Sequence, residues 1–262
     1  MADINPNAKS TNPLPPGQWV ALLPGSKKAK LSIGIPFFLE FSDELVKLLP
    51  NCNFFLPIAP TTNISEFLYL SSANNPIAKE YSSGISEIKK TNDPINWEKL
   101  ITINGTIIYL YKDYPAHEYL SQCDIALTTI GANTAELAAL STPMIVIIPT
   151  QHLNVMEAWD GFLGILARLP FIKRCLGIVV SFWRLRKRKF MAWPNISAGR
   201  IVVPERIGRI LPKQIARECY EWISSPARLD GQKKDLQRLR GKRGAVEKIT
   251  NEIIESIKRL KN

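Results

Sequence analysis

Histidine occurs only twice in the 262 residues, as His117 and His152, and the four cysteines, Cys52, Cys123, Cys175 and Cys219, stand far apart. Neither type is clustered at metal-ligand spacing, so no metal site is expected. Scattered thiols of this kind fit a reduced, cytosolic setting rather than a disulfide-stapled secreted protein. No apolar run follows the start, "MADINPNAKSTNPLPPGQ"; residues 1–17, rich in Asn and Pro, are expected to be a disordered leader and not a signal peptide. Acids are also scarce. With 23 Asp and Glu against 34 Lys and Arg, the net charge is +11, which favours an anionic partner: phosphate, nucleic acid or an acidic membrane surface. Internal repeats are absent. What is present, 45% hydrophobic and 22% charged residues, is enough to bury a sizeable core.

From Trp19 onward, short apolar runs alternate with longer amphipathic ones. "WVALL" (19–23) reads as a buried strand stopped by Pro24-Gly25-Ser26, and "NFFLPIA" (53–59) as a second strand. Between them "LSIGIPFFLEFSDELVKLL" has helical spacing, with Gly34 and Pro36 obscuring where the helix starts. Residues 61–99 are polar and irregular, with short helices at best. Asn104-Gly105 between the β-branched runs of "KLITINGTIIYLY" (99–111) signals a hairpin. "DIALTT" (124–129) and "MIVIIP" (144–149) are near-continuous apolar runs, as in strands covered on both faces. A helix expected at 133–141 joins them into a β-α-β unit. After "IVVPE" (201–205) the pattern is helical, through 212–224 and 230–260. The expected fold is α/β: a Rossmann-like, doubly wound parallel sheet over residues 18–262, ending in helices.

Two strand-to-helix turns carry glycine. In "LLPGSKKAK", Gly25 and Ser26 can bring backbone N–H groups close to an anion while Lys27, Lys28 and Lys30 supply charge. The spacing is not that of a P-loop, and a solvated lysine cluster is the plain alternative. In "TIGANTAE" (129–136), Gly131 lets the backbone approach a ligand, and the start of the following helix offers N–H groups and partial positive charge to a diphosphate. Glu136, about one turn in, can accept from both hydroxyls of a ribose. The alternative is plain capping by Asn133 or Thr134, with Glu136 favouring the helix dipole. Both turns end strands at the edge of the sheet where open α/β folds bind ligands.

Residues 161–190 are basic and apolar, with no acid. Pro170 and the charges break the apolar run short of the roughly 20 residues that a membrane span needs. Arg184, Arg186, Lys187 and Arg188, set against Phe, Leu, Ile and Trp, read as an interfacial helix or helical pair on an anionic membrane surface, each charge worth about 1 kcal/mol there. The alternative is a buried helix pair with solvated charges. Nucleic acid is not expected as a partner, because no helix-turn-helix, RNA-binding sheet signature or finger spacing accompanies the charge.

The most specific string is "WPNISAGRIVVPE" (193–205). It resembles the "PN-x-x-AGR-x-x-VPE" segment of the lipid-A-disaccharide synthase family, peripheral membrane glycosyltransferases that join two acylated glucosamine units. "LLPGSK" (22–27) is similar to the family's "LLPGSR", and "GANTAELAALSTPMIVI" (131–147) to its "G-T-x-x-E…G-TPM-V" turn, helix and strand. Order and spacing agree from about residue 18 to the end. The resemblance thus covers almost this whole chain but only the C-terminal half of the family.

The resemblance implies the C-terminal, donor-binding half of a B-type glycosyltransferase fold. Such a half holds a UDP-acylglucosamine donor, a substrate and not a cofactor, for inverting, metal-independent transfer to a lipid-linked glucosamine phosphate. Carried over residue by residue, Gly25, Ser26, Lys27, Gly131 and Thr134 face the diphosphate, and Glu136 takes the ribose. Asn195 and Arg200 belong to the donor-site segment. Without a metal, cationic and backbone donors must answer the charge on departing UDP, a role that falls to Lys27 and Arg200. "TPMIVIIPTQHLN" (142–154) is also similar to the donor loop of the peptidoglycan N-acetylglucosaminyltransferase. That likeness makes Gln151 and His152 sugar contacts, the alternative being an exposed loop.

Two departures stand out. Lys27 replaces the family's Arg, keeping the charge and losing the planar fork. The acceptor site and its carboxylate base belong to an N-terminal half with no counterpart here, so the catalytic base is unassigned and the chain reads as a fragment or one part of a split enzyme. Its expected partners are a UDP-sugar, a lipid-linked acceptor, an anionic membrane surface and an N-terminal half or a second copy. The implied location is cytoplasmic, peripheral on the inner face of the membrane. Other readings are a non-catalytic UDP-sugar-binding or membrane-associated module, and a sugar-nucleotide epimerase on the same fold.

Overall fold

The computed structural model describes residues 12–90, 97–152, 190–240 and 250–254. In chain order the elements are β1 (Gln18–Leu23), α1 (Lys28–Leu48), β2 (Cys52–Pro57), α2 (Ile64–Ser71), a 3-10 turn (Pro76–Glu80), β3 (Ile85–Lys89), β4 (Glu98–Thr102) and β5 (Ile107–Tyr111). There follow α3 (His117–Leu120), β6 (Ile125–Thr129), α4 (Ala132–Leu140), β7 (Met144–Pro149), a 3-10 turn (Thr150–His152), α5 (Trp193–Ala198), β8 (Glu205–Gly208), α6 (Pro212–Ile223) and α7 (Pro226–Leu239).

β1, β6 and β7 coincide with the near-continuous apolar runs, because strands covered on both faces have no solvent side to keep polar. The sheet order is β3-β4-β5-β2-β1-β6-β7-β8. The six strands from β5 to β8 run parallel in the doubly wound 3-2-1-4-5-6 order. β3 and β4 extend the β5 edge as antiparallel strands. One face is covered by α1, α2 and α6 around Phe37, Phe38, Phe41 and Phe54, the other by α3, α4 and α7 around Leu120, Leu137 and Leu236. Each buried phenylalanine contributes about 1.5–3 kcal/mol.

The two residues that obscure the start of α1 have non-local partners. Pro36 lacks the N–H that would bond to the Ser32 carbonyl; the buried Asn75 amide donates there instead at 2.8 Å, and to Leu70 O at 2.7 Å. A Cβ on Gly34 would lie 2.7 Å from Pro24 Cβ. The missing side chain therefore lets α1 lie directly against the turn after β1, which sets where the helix begins.

The Asn104-Gly105 hairpin forms as expected, joining β4 to β5 with Gly105 at φ 86°. Asn104 is specified by more than the turn. Its amide donates to the buried Asp43 carboxylate of α1 at 2.7 Å, and Thr102 Oγ1 donates to the same group at 2.6 Å.

Three parts of the sequence reading differ. Leu14 N donates to Gln122 Oε1 at 2.9 Å and Trp19 Nε1 to Pro15 O at 2.9 Å, so the end of the expected leader is fastened to the domain. β3 lies in the stretch expected to be irregular, and β8 begins where only helix was expected. Both are edge strands with half-exposed residues, which removes the apolar run that marks a central strand. The expected helix at 230–260 is α7 as far as Leu239, and residues 241–249 lie outside the described residues. So do residues 153–189, including Arg184, Arg186, Lys187 and Arg188 of the basic stretch. Among the described residues no helix is long and apolar enough to cross a membrane. Cys52, Cys123 and Cys219 are buried and unbridged, and burial pushes the Cys52 thiol up to about 12.

Candidate functional site

The strand order reverses between β1 and β6, so the crevice outside their C-terminal ends is the topological switch point. Two glycine turns meet there. Gly25 has φ 105° and Gly131 φ 143°, conformations that favour glycine. Thr129 Oγ1 donates to Pro24 O at 3.2 Å and ties the turns together. Lys30, from the first turn of α1, reaches across and donates to Ile130 O at 2.7 Å. A Cβ at Gly131 would lie 3.0 Å from Lys30 Nζ, and one at Gly25 would lie 3.0 Å from Lys30 Cδ. Both glycines thus clear the path of this side chain. Burial pushes the Lys30 ammonium below its ordinary pKa, and nearby Lys27 lowers it further.

Neither helix that begins here has a side-chain cap: the capping positions are Lys27 before α1 and Gly131 before α4. The capping expected of Asn133 or Thr134 is not found. Thr134 Oγ1 donates back to Gly131 O at 2.8 Å and accepts from Trp193 N at 3.2 Å, and the residue is 1% exposed. First-turn N–H groups of two helices and one ammonium therefore converge on the switch point, a strongly anion-favouring arrangement.

Beside them lies a cavity of about 90 Å³, lined in part by Gly25, Ser26, Asp113, Tyr114, Asn133 and Glu136. Asn133 and Glu136 are three residues apart and share one face of α4. Glu136 Oε1 is 2.9 Å from His117 Nε2 of α3. His117 was visible in the sequence only as one of two histidines, and nothing local to it announced a carboxylate partner.

Other expected site residues are placed elsewhere. Gln151 Nε2 donates to Ile210 O at 2.8 Å and its Oε1 accepts from Ile210 N at 3.2 Å. It lines a larger cavity, about 500 Å³, with Glu40, Glu80, Tyr81, Arg209 and Pro212. Its lining carries the two carboxylates Glu40 and Glu80 and the Arg209 guanidinium, and at the start of α6 Gln214 Oε1 accepts from Leu211 N at 3.3 Å, so that this helix start, unlike those of α1 and α4, has a side-chain partner. The side chain of His152 lies outside the described residues.

Asn195 is 1% exposed and fully engaged: it accepts from Val202 N at 2.7 Å and Val203 N at 2.9 Å, and donates to Val203 O at 2.8 Å and Glu205 Oε1 at 2.7 Å. Glu205 also accepts from Ala192 N at 2.9 Å. The "PNISAGRIVVPE" string thus closes on itself around one amide and one carboxylate. Arg200 makes a bidentate pair with Asp235 of α7 at 3.2 and 3.0 Å, which holds that carboxyl below its ordinary pKa. Gly25, Ser26 and Glu136 line the switch-point cavity and Lys27 and Gly131 stand at the capping positions of its two helices; Gln151, Asn195 and Arg200 are not among its lining residues.

Fold and crevice together define the class: a doubly wound α/β domain with an anion-favouring switch point. No family model matches the chain. In sequence it is similar to lipid-A-disaccharide synthases. That of Sulfurihydrogenibium sp. is 24% identical over 236 residues, 88% of this chain and 49% of that protein. That of Gloeothece citriformis is 23% identical over 242 residues, 91% and 49%, and that of Syntrophus aciditrophicus 25% over 226 residues, 86% and 45%. The chain spans about half the length of the curated relatives it matches. Among solved structures, the pneumococcal O-GlcNAc transferase GtfA in complex with UDP and GlcNAc aligns over 88% of this chain and 37% of that one, at 15% identity and a TM-score of 0.31. At that score the likeness is too slight to bear on the site.

Proposed function

We propose that this chain is the nucleotide-sugar-binding half of a glycosyltransferase of the lipid-A-disaccharide synthase type, and that its switch point holds the diphosphate of a UDP-acylglucosamine. The observation that carries the reading is the meeting of two uncapped helix starts, α1 and α4, with Lys30 spanning the glycine turns between them.

In this proposal the backbone N–H groups at Gly25, Ser26 and Gly131, together with Lys27 and Lys30, bind the two phosphates, and Glu136 accepts from the ribose hydroxyls. An acceptor hydroxyl attacks the anomeric carbon with inversion and the bond to UDP breaks. The helix starts and both lysines answer the charge left on the β-phosphate, as preorganised donors do in water-poor sites. No metal is invoked. Arg200 would have to leave Asp235 to take part, so the proposal gives it and Asn195 the task of fastening the α5–β8 segment. The acceptor-deprotonating base is assigned to no residue of this chain, and the half of the relatives' length that the chain does not span is the proposed source.

Calorimetric titration with UDP, UMP, uridine and ADP tests the reading. It predicts that UDP binds more tightly than UMP or uridine, since the phosphates meet the donors, and more tightly than ADP. Equal affinity for all four, or none for UDP, contradicts it. A non-catalytic UDP-sugar-binding module gives the same titration. It is separated by supplying an N-terminal half, a UDP-acylglucosamine and its lipid monophosphate, and looking for the disaccharide.

A further inference from the structure

Glu136 is held by a second residue that the proposed function leaves unused. Its Oε1 lies 2.9 Å from His117 Nε2, both side chains being about three-quarters buried at 21% and 28% exposure. In this contact the carboxylate oxygen is the acceptor and the imidazole Nε2–H the donor. His117 opens α3, a single turn fixed on several sides. Leu120 is 1% exposed and its carbonyl accepts from Thr142 Oγ1 at 2.9 Å, while Gln122 just beyond is bonded to Leu14 N at 2.9 Å. The imidazole is therefore presented from an anchored element to a carboxylate that lines the switch-point cavity.

We propose that His117 is the positioning residue that fixes the Glu136 carboxylate for a vicinal diol, making this site selective for ribonucleotides over 2′-deoxyribonucleotides. The inference rests on the ribose reading of Glu136. A carboxylate offers about four lone-pair positions. His117 occupies one on Oε1, which leaves Oε2 and the second position on Oε1 for two hydroxyls. Without the imidazole the Glu136 carboxylate loses the donor that holds it in the unliganded protein, and binding must then order it. Immobilising such a side chain corresponds to about a twofold to tenfold loss of affinity. The loss falls chiefly on the ligand that uses both hydroxyls.

The test is a set of titrations with UDP and 2′-deoxy-UDP on the parent, His117→Ala, His117→Gln, Glu136→Gln and the His117→Ala/Glu136→Gln pair, with a thermal midpoint for each. The expected result is that His117→Ala weakens UDP about twofold to tenfold and narrows its advantage over the deoxy form. His117→Gln, whose amide can still donate, keeps most of that advantage. In the Glu136→Gln background, His117→Ala adds nothing. If Glu136→Gln changes the UDP to 2′-deoxy-UDP ratio and His117→Ala does not, the inference falls while the ribose reading stands. If His117→Ala weakens both ligands equally, and does so again in the Glu136→Gln background, His117 is merely structural and the inference falls. An unchanged ratio in Glu136→Gln overturns the ribose reading and the inference with it.

Discussion

Lys30 Nζ and the carbonyl oxygen of Ile130, 2.7 Å apart, join the first turn of α1 to the turn after β6, across the point where the sheet reverses its order. Both flanking glycines leave room for that contact, since a Cβ at either would crowd Lys30 at 3.0 Å. A half-buried ammonium facing a carbonyl, beside two helix starts, is placed to answer an incoming anion.

Lys30→Met is accordingly expected to weaken UDP by about tenfold to a hundredfold, the equivalent of one charge-assisted hydrogen bond of about 1.5–3 kcal/mol, while uridine is little affected. The variant also loses a pH response. Burial holds the folded-state pKa of Lys30 below the ordinary 10.5, so between those values the unfolded chain binds more protons and stability rises with pH. The parent's denaturant midpoint should climb relative to Lys30→Met as pH approaches 10.5. Parallel midpoints across that window would contradict the burial of the charge.

Gly34→Ala should destabilise the protein although alanine favours helices by about 1 kcal/mol. The new Cβ would sit 2.7 Å from Pro24 Cβ and 3.2 Å from Pro24 O, and overpacking of that kind costs about 1–3 kcal/mol. Urea melts measure it. Because the displaced residue precedes Gly25, UDP affinity should fall as well.

Asn75→Ala leaves the Ser32 carbonyl without the donor that replaces the missing Pro36 N–H. A loss of about 1–3 kcal/mol is expected. Pro36→Ala supplies a helical N–H for the same carbonyl, so in that background Asn75→Ala should cost less. A double-mutant cycle reads the coupling, and additive effects would show that Asn75 acts through its bonds to Leu70 O at 2.7 Å and from Ile77 N at 3.2 Å alone.

Much of this architecture was legible in the sequence for a physical reason: β1, β6 and β7 are covered on both faces and must be apolar throughout, and Asn104-Gly105 suits a tight turn. β3 and β8 were not legible, because edge strands share their pattern with loops. Gly34 and Pro36 looked like helix breakers since their reasons, Pro24 and Asn75, are brought close only by folding. The same limit applies to the site. Gly25, Gly131 and Glu136 stand at readable strand-to-helix turns, but the path of Lys30 and the pairing of His117 depend on tertiary contacts. Asn195 stood out by its motif, yet its amide is spent within that motif.

The basic, apolar stretch at 161–190 predicts binding to anionic membranes from its charge and its apolar residues together. The protein should sediment with vesicles containing anionic lipid, less so as salt shortens the screening length, and Arg184, Arg186, Lys187 and Arg188 replaced by Gln should release it. Sedimentation of that variant equal to the parent's would remove the membrane reading.

The central claim, that the switch point is the nucleotide site, is tested most directly by backbone hydrogen exchange with and without saturating UDP. The account predicts slowed exchange in peptides covering residues 24–31 and 130–137, where the two helix starts lie. Slowed exchange confined to residues 150–151 and 209–212, around the larger cavity, or no change at the two glycine turns while UDP is bound, would contradict it.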